Sequence, residues 1–178
     1  MNRIMFLSFV SFLFFVTTSC QENKNAKTEY LLMITDTIND RYGYVDQQGD
    51  TIIPLGKYTY CFTDTFRTYA IVHKTTGGYF AIDREEKTMC EILNFDNGPD
   101  YVEEGLFRII EKGKIGYADS ATGKIVIKPQ YECAYPFENG VAKVSVKCTQ
   151  TPEGEYTKWE SDKWIYIDKK GNETDAPK

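Results

Sequence analysis

The residues best equipped for chemistry in this chain are carboxylates, and four of them recur. Asp46, Asp83, Asp119 and Asp168 stand 37, 36 and 49 residues apart, each closing a six-residue run of mainly apolar and aromatic side chains. A recurring carboxylate can ligate calcium, or it can accept hydrogen bonds from the amides of a turn. Calcium loops gather several acids within about a dozen residues. These aspartates lack that close spacing, so all four are expected to cap turns. Adjacent carboxylates at Glu85-Glu86 and Glu103-Glu104 raise glycosidase chemistry, which sets two carboxylates across a cleft. Neighbours on a strand point to opposite faces, so these pairs fit a solvated edge or turn better. His73 is the one histidine, with no His-Glu-x-x-His or Ser-His-Asp pattern around it. A multi-histidine metal site is excluded, and His73 is expected as a partly exposed strand residue. Cys61, Cys90, Cys133 and Cys148 form no Cys-x-x-Cys pair. They can make two disulfides in three connectivities, or stay free and buried. No catalytic residue, metal or cofactor is expected.

The aspartates imply the elements that present them. Arg41-Tyr42-Gly43-Tyr44-Val45-Asp46, Gly78-Tyr79-Phe80-Ala81-Ile82-Asp83, Lys114-Ile115-Gly116-Tyr117-Ala118-Asp119 and Lys163-Trp164-Ile165-Tyr166-Ile167-Asp168 align on that residue. The second and fourth positions share one face and the third and fifth the other, and both faces are largely apolar or aromatic. That pattern predicts a strand covered on both sides. Gly49, Gly123 and Gly171 then supply the positive φ of a tight hairpin. A second strand is expected at 51–53, 88–93 and 124–127, ended in the first and third units by Pro54 and Pro129. A loop holding Phe66 or Phe137 leads to a third strand at 69–73, 106–111 and 141–147. Residues 29–35 stand where the third strand of a preceding unit would be, and the last unit stops soon after Gly171. The 49-residue spacing holds an insertion of about 12 residues near 148–161, whose Pro152-Glu153-Gly154 predicts a hairpin carrying Tyr156 and Trp159. Tyr156, Trp159 and Trp164 are the candidate binding residues, with packing on the last unit as the alternative for Trp159.

The third unit carries a family pattern in Ile115-Gly116-Tyr117-Ala118-Asp119, Gly123-Lys124, Pro129-Gln130-Tyr131 and Phe137-Glu138-Asn139-Gly140-Val141-Ala142-Lys143-Val144. It resembles the WG repeat of bacterial envelope proteins, and the resemblance spans residues 41–171. The defining Trp-Gly pair reads Tyr42-Gly43, Tyr79-Phe80, Ile115-Gly116 and Trp164-Ile165. Where Phe80 and Ile165 replace glycine, the close backbone approach that glycine permits is not expected. The resemblance implies an interaction scaffold with three full degenerate repeats, partial terminal units and no catalytic residues. The expected fold is all-β: tandem three-stranded repeats in a curved antiparallel array, open in preference to ring-closed.

Residues 1–19 read as an address. Arg3 gives a positive start, and Ile4 to Val16 is an apolar run too short to span a bilayer comfortably. Thr17-Thr18-Ser19-Cys20 resembles the lipobox of bacterial lipoproteins, which implies cleavage before Cys20 and a lipid on its thiol. Residues 20–28 form a tether, 29–171 the repeat domain and 172–178 a tail. Gln21 is not the aspartate that marks inner-membrane retention, so the outer membrane is favoured.

Cleavage would leave 159 residues with net charge −6, against −5 for the whole chain. That balance excludes a nucleic-acid partner, which requires clustered Lys and Arg. The expected function is a non-enzymatic envelope lipoprotein, held to the membrane through its N-terminal lipid, whose repeats bind a protein or cell-envelope glycan. An accessory structural subunit of an envelope complex is the alternative, and an unrecognised envelope hydrolase the second.

Overall fold

The computed structural model describes residues 29–154 and 156–177. The signal segment, Cys20 and the tether lie outside them. The described residues form strands and connections with no helix, in antiparallel sheets of which none closes into a barrel. The first layer is β1 (Leu31–Asp36), β2 (Arg41–Val45) and β3 (Thr51–Tyr58). The chain then crosses through β4 (Tyr60–Cys61) and β5 (Thr65–Phe66) into a second layer, β6 (Tyr69–His73), β7 (Tyr79–Asp83) and β8 (Thr88–Ile92). A short hairpin, β9 (Asn94–Phe95) and β10 (Gly98–Pro99), precedes the third layer of β11 (Leu106–Glu111), β12 (Lys114–Asp119) and β13 (Ile125–Tyr131). The fourth layer begins with β14 (Cys133–Ala134) and β15 (Val141–Ser145). The inserted hairpin β16 (Thr149–Glu153) and β17 (Tyr156–Glu160) interrupts it before β18 (Ile165–Asp168) and β19 (Glu173–Thr174). Each six-residue run thus pairs with the third strand of the unit before it, as in Ala70↔Ile82, Phe107↔Ala118 and Ala142↔Ile167. The first described strand, β1, fills the same role for β2. Residues 173–174, assigned to the tail on sequence grounds, pair with β18.

Pro54 and Pro129 do not end their strands: β3 runs to Tyr58 and β13 to Tyr131. Both pairings shift register at these points, between Tyr42 and Tyr44 and between Ile115 and Tyr117. A bulge lets the strand pass a residue that cannot donate to the ladder. Glycine makes the crossing possible. A Cβ on Gly43 would meet the Ile53 carbonyl oxygen at 2.6 Å, and one on Gly116 would meet the Pro129 nitrogen at 2.6 Å. In the second unit Phe80 stands at that position, and β8 pairs straight across it, Phe80↔Glu91. The glycine of the repeat is therefore a contact requirement between two backbones.

The core lies between successive layers. Leu31, Tyr44, Ile53 and Phe66 meet Ala70, Val72 and Ile82 between the first and second. Ala81, Cys90 and Ile92 meet Phe107, Ile109 and Ala118 between the second and third. Ile115, Tyr117, Ile127 and Tyr131 meet Ala142, Val144 and Ile167 between the third and fourth. Adjacent residues Ala81 and Ile82 thus serve opposite interfaces, as do Tyr117 and Ala118, so the middle layers are covered on both sides. Tyr44 and Tyr117 are fully buried, and their hydroxyls donate to the carbonyls of Thr63 and Tyr135, at 2.8 and 2.6 Å. Each also sets its ring edge-on to the loop phenylalanine, Phe66 or Phe137. These contacts make each unit depend on its neighbour, as in repeat proteins generally.

Candidate functional site

The four recurring carboxylates sit in the turns. Oδ1 of Asp46 accepts from the amides of Gln48 and Asp50, that of Asp83 from Glu85 and Lys87, and that of Asp168 from Lys170 and Asn172. Asp119 accepts from the Thr122 amide and hydroxyl. The Thr122 hydroxyl holds Asp119 below the usual 3.8, and the Asn172 side chain does the same for Asp168. Glu86 takes the place of the turn glycine in the second unit at φ 60°, and its carboxylate accepts from Lys57 and the Tyr58 hydroxyl of the layer before. Tyr69 likewise donates to the Ser120 carbonyl of the third turn, and Lys169 of the fourth turn bonds Glu104. The turns therefore bind one layer to the next. Among the described residues no three His, Cys, Asp or Glu side chains gather as a metal-holding group.

Cys133 and Cys148 form a disulfide, and Cys61 and Cys90 are free and buried. Burial pushes both free thiols up to about 11, well above reactive thiolate chemistry at neutral pH. His73 pairs with Tyr60 across the sheet and lies 4.9 Å from the Tyr79 ring, in an aromatic row with Tyr42 and Phe62.

Two segments break the repeat, and both line one cleft. The first is the β9–β10 hairpin, whose tip residues Asp96 and Asn97 both take positive φ, 50° and 61°, as a type I′ turn requires. It is fixed from below by a buried ion pair. Asp100 accepts from the Arg108 backbone amide, Nε and Nη2, while Arg108 Nη1 donates to the Ala134 carbonyl. The second is the inserted β16–β17 hairpin, tied at its base by the disulfide, by Cys148 N to Glu132 and by Gln150 Nε2 to the Glu132 carbonyl. Between them lies a cleft of about 840 Å³, within the size range of small-ligand sites. Phe95 lines one side, with the Arg108 guanidinium 5.0 Å from its ring, and Trp159 lines the other. Asn94, Asn97, Gln150 and Thr157 add neutral hydrogen-bonding groups.

Trp159 is half-buried against the core between the third and fourth layers, with a buried Nε1 that has no hydrogen-bond partner. It is a cleft wall as much as a packing residue. Trp164 lies outside the cleft, under Lys143 Nζ at 4.8 Å. The exposed Tyr135 links the two tryptophans, its ring 5.3 Å from Trp159 and 5.6 Å from Trp164. The side chain of Tyr156 lies outside the described residues. Phe95, Tyr135, Gln150 and the Asp100–Arg108 pair escaped the sequence reading. Asp96-Asn97-Gly98-Pro99 was the available signal, since that run punctuates a hairpin.

A family model described as a WG containing repeat matches residues 42–64 and 115–147. Those are the units that keep Gly43 with Pro54 and Gly116 with Pro129. No curated protein and no solved structure matches the chain.

Proposed function

We propose, from the WG-containing repeat matched at residues 42–64 and 115–147, that the chain is a non-enzymatic binding protein of the bacterial cell envelope. It is anchored in the outer membrane by a lipid on Cys20 and holds a protein or glycan partner in the cleft between its two hairpins. The observation that carries this reading is the cleft itself. The only two large departures from the repeat among the described residues converge there, and each is braced, one by the Asp100–Arg108 pair and one by the Cys133–Cys148 disulfide. Aromatic walls with neutral amides suit either an aromatic-rich peptide or the apolar face of a sugar. The Arg108 charge is already matched by Asp100, which leaves Asp96 as the uncompensated charge at the cleft and disfavours anionic ligands. The disulfide supports an oxidising compartment. The repeating aspartates are engaged by turn amides, which supports binding over hydrolysis.

An accessory role in a larger complex is favoured by a second feature, the aromatic row on the first two layers. Tyr60 and Phe62 there are 41 % and 40 % exposed, and neither belongs to the cleft. The anchor is tested by Cys20→Ala and cell fractionation. Release from the membrane fraction is expected, and continued membrane association contradicts the lipid. The cleft is tested by comparing partner capture by the full-length chain with capture by Phe95→Ala. Loss in the variant is expected, and equal capture contradicts the site.

A further inference from the structure

Every interior interface of the array uses the same register positions, and among the described residues those positions are less covered in the first and fourth layers. Toward the preceding layer, the cross-strand pairs Ala70–Ile82, Phe107–Ala118 and Ala142–Ile167 are at most 1 % exposed. The matching pair of the first layer is Leu32–Val45, with Leu32 41 % exposed and Val45 half-buried. Ile34, which holds the place of the sealed Val72, Ile109 and Val144, is half-buried beside them. Toward the following layer, Tyr44, Ala81 and Tyr117 are fully buried. Tyr166 holds their position in the fourth layer and is half-buried. No following unit supplies a carbonyl for its hydroxyl among the described residues. With Val141 and Lys143 it lines a cleft of about 750 Å³, which Glu103 of the third unit and Pro177 of the tail also border.

We propose that this fourth-layer face receives the first layer of a second copy of the chain. The N-terminal face presents Leu32, Ile34 and Val45 at the register positions from which Ala142, Val144 and Ile167 pack on the third layer. A second copy would repeat the side-chain packing of the three interior interfaces, without the strand that passes between layers and pairs at Cys61↔Val72, Ile92↔Ile109 and Cys133↔Ser145. The two end faces differ, so the contact is head-to-tail and propagates unless a ring closes. It goes beyond the binding function above and does not use the cleft between the hairpins.

The test is sedimentation of the full-length chain in detergent over a range of protein and micelle concentrations. The wild type is expected to form dimers and longer species as protein concentration rises. Leu32→Arg and Tyr166→Arg each reduce association at least tenfold, with circular dichroism and thermal midpoint reporting whether each still folds. An equimolar mixture of the two variants regains dimers and stops there, because each supplies one intact face. Where either variant fails to fold, Leu32→Cys and Val141→Cys in separate copies provide the second readout, an oxidative crosslink between them. A wild type that stays monomeric overturns the proposal. So does association unchanged in both variants, which would come from another segment, and so does a mixture that forms no dimer.

Discussion

Two kinds of glycine carry the fold at the residue scale, and they fail differently when changed. Gly116 has backbone on top of it, with the Pro129 nitrogen 2.6 Å from where a Cβ would lie. Gly49 has open space around it and a φ of 88°. Gly116→Ala is expected to lower stability by about 1–3 kcal/mol through overpacking, with loss of the β12–β13 register. Gly49→Ala is expected to cost about 1–2 kcal/mol from its left-handed backbone alone, leaving strand pairing intact. Urea denaturation gives the energies, and amide exchange at β13 separates the two cases. The turn aspartates make a pH prediction. Asp119 and Asp168 titrate below 3.8 when folded because the Thr122 hydroxyl and the Asn172 side chain favour the carboxylate. A group with a depressed folded pKa contributes stability above its unfolded value and loses it as pH falls through the folded one. Stability is therefore expected to fall below pH about 4. The urea midpoint of Asp168→Asn should drop less between pH 7 and pH 3 than that of the wild type.

At the element scale the two off-pattern hairpins depend on their braces. Asp100 and Arg108 are 6 % and 3 % exposed. Asp100→Ala leaves a buried guanidinium without its counter-charge and is expected to cost about 3–5 kcal/mol. The disulfide joins residues 15 apart, and Cys148→Ser is expected to cost about 3 kcal/mol by the loop-entropy relation. Thermal or urea denaturation measures both, and native amide exchange should show the second loosening β16–β17 before the layers. The strands themselves were legible because alternation, turn glycines and the aligned aspartates all pointed one way. The course of β3 and β13 through proline was not, because the bulge depends on a glycine in the partner strand and not on the proline's own neighbours. The Asp100–Arg108 pair was hidden for a similar reason. Nothing in eight residues of sequence separation tells a buried pair from two solvated charges. Cys133–Cys148 was one of several pairings open to four cysteines, and only the fold brings those two within 5.9 Å at Cα.

At the scale of the whole molecule, four layers built on one pattern leave function to the places where the pattern breaks. Trp159 and Trp164 were visible as aromatics in or beside an insertion, yet their partners Phe95 and Tyr135 come from other units and become neighbours only in the array. The central claim is that a partner occupies the cleft those departures create. Site-specific photocrosslinking in intact cells tests it most directly, with the photoreactive side chain placed at Asn97 on the cleft or at Lys112 on an exposed turn. The account predicts a discrete crosslinked product from Asn97 that disappears when Phe95→Ala is added, and none from Lys112. Equal crosslinking from both positions, or none from Asn97, would contradict it.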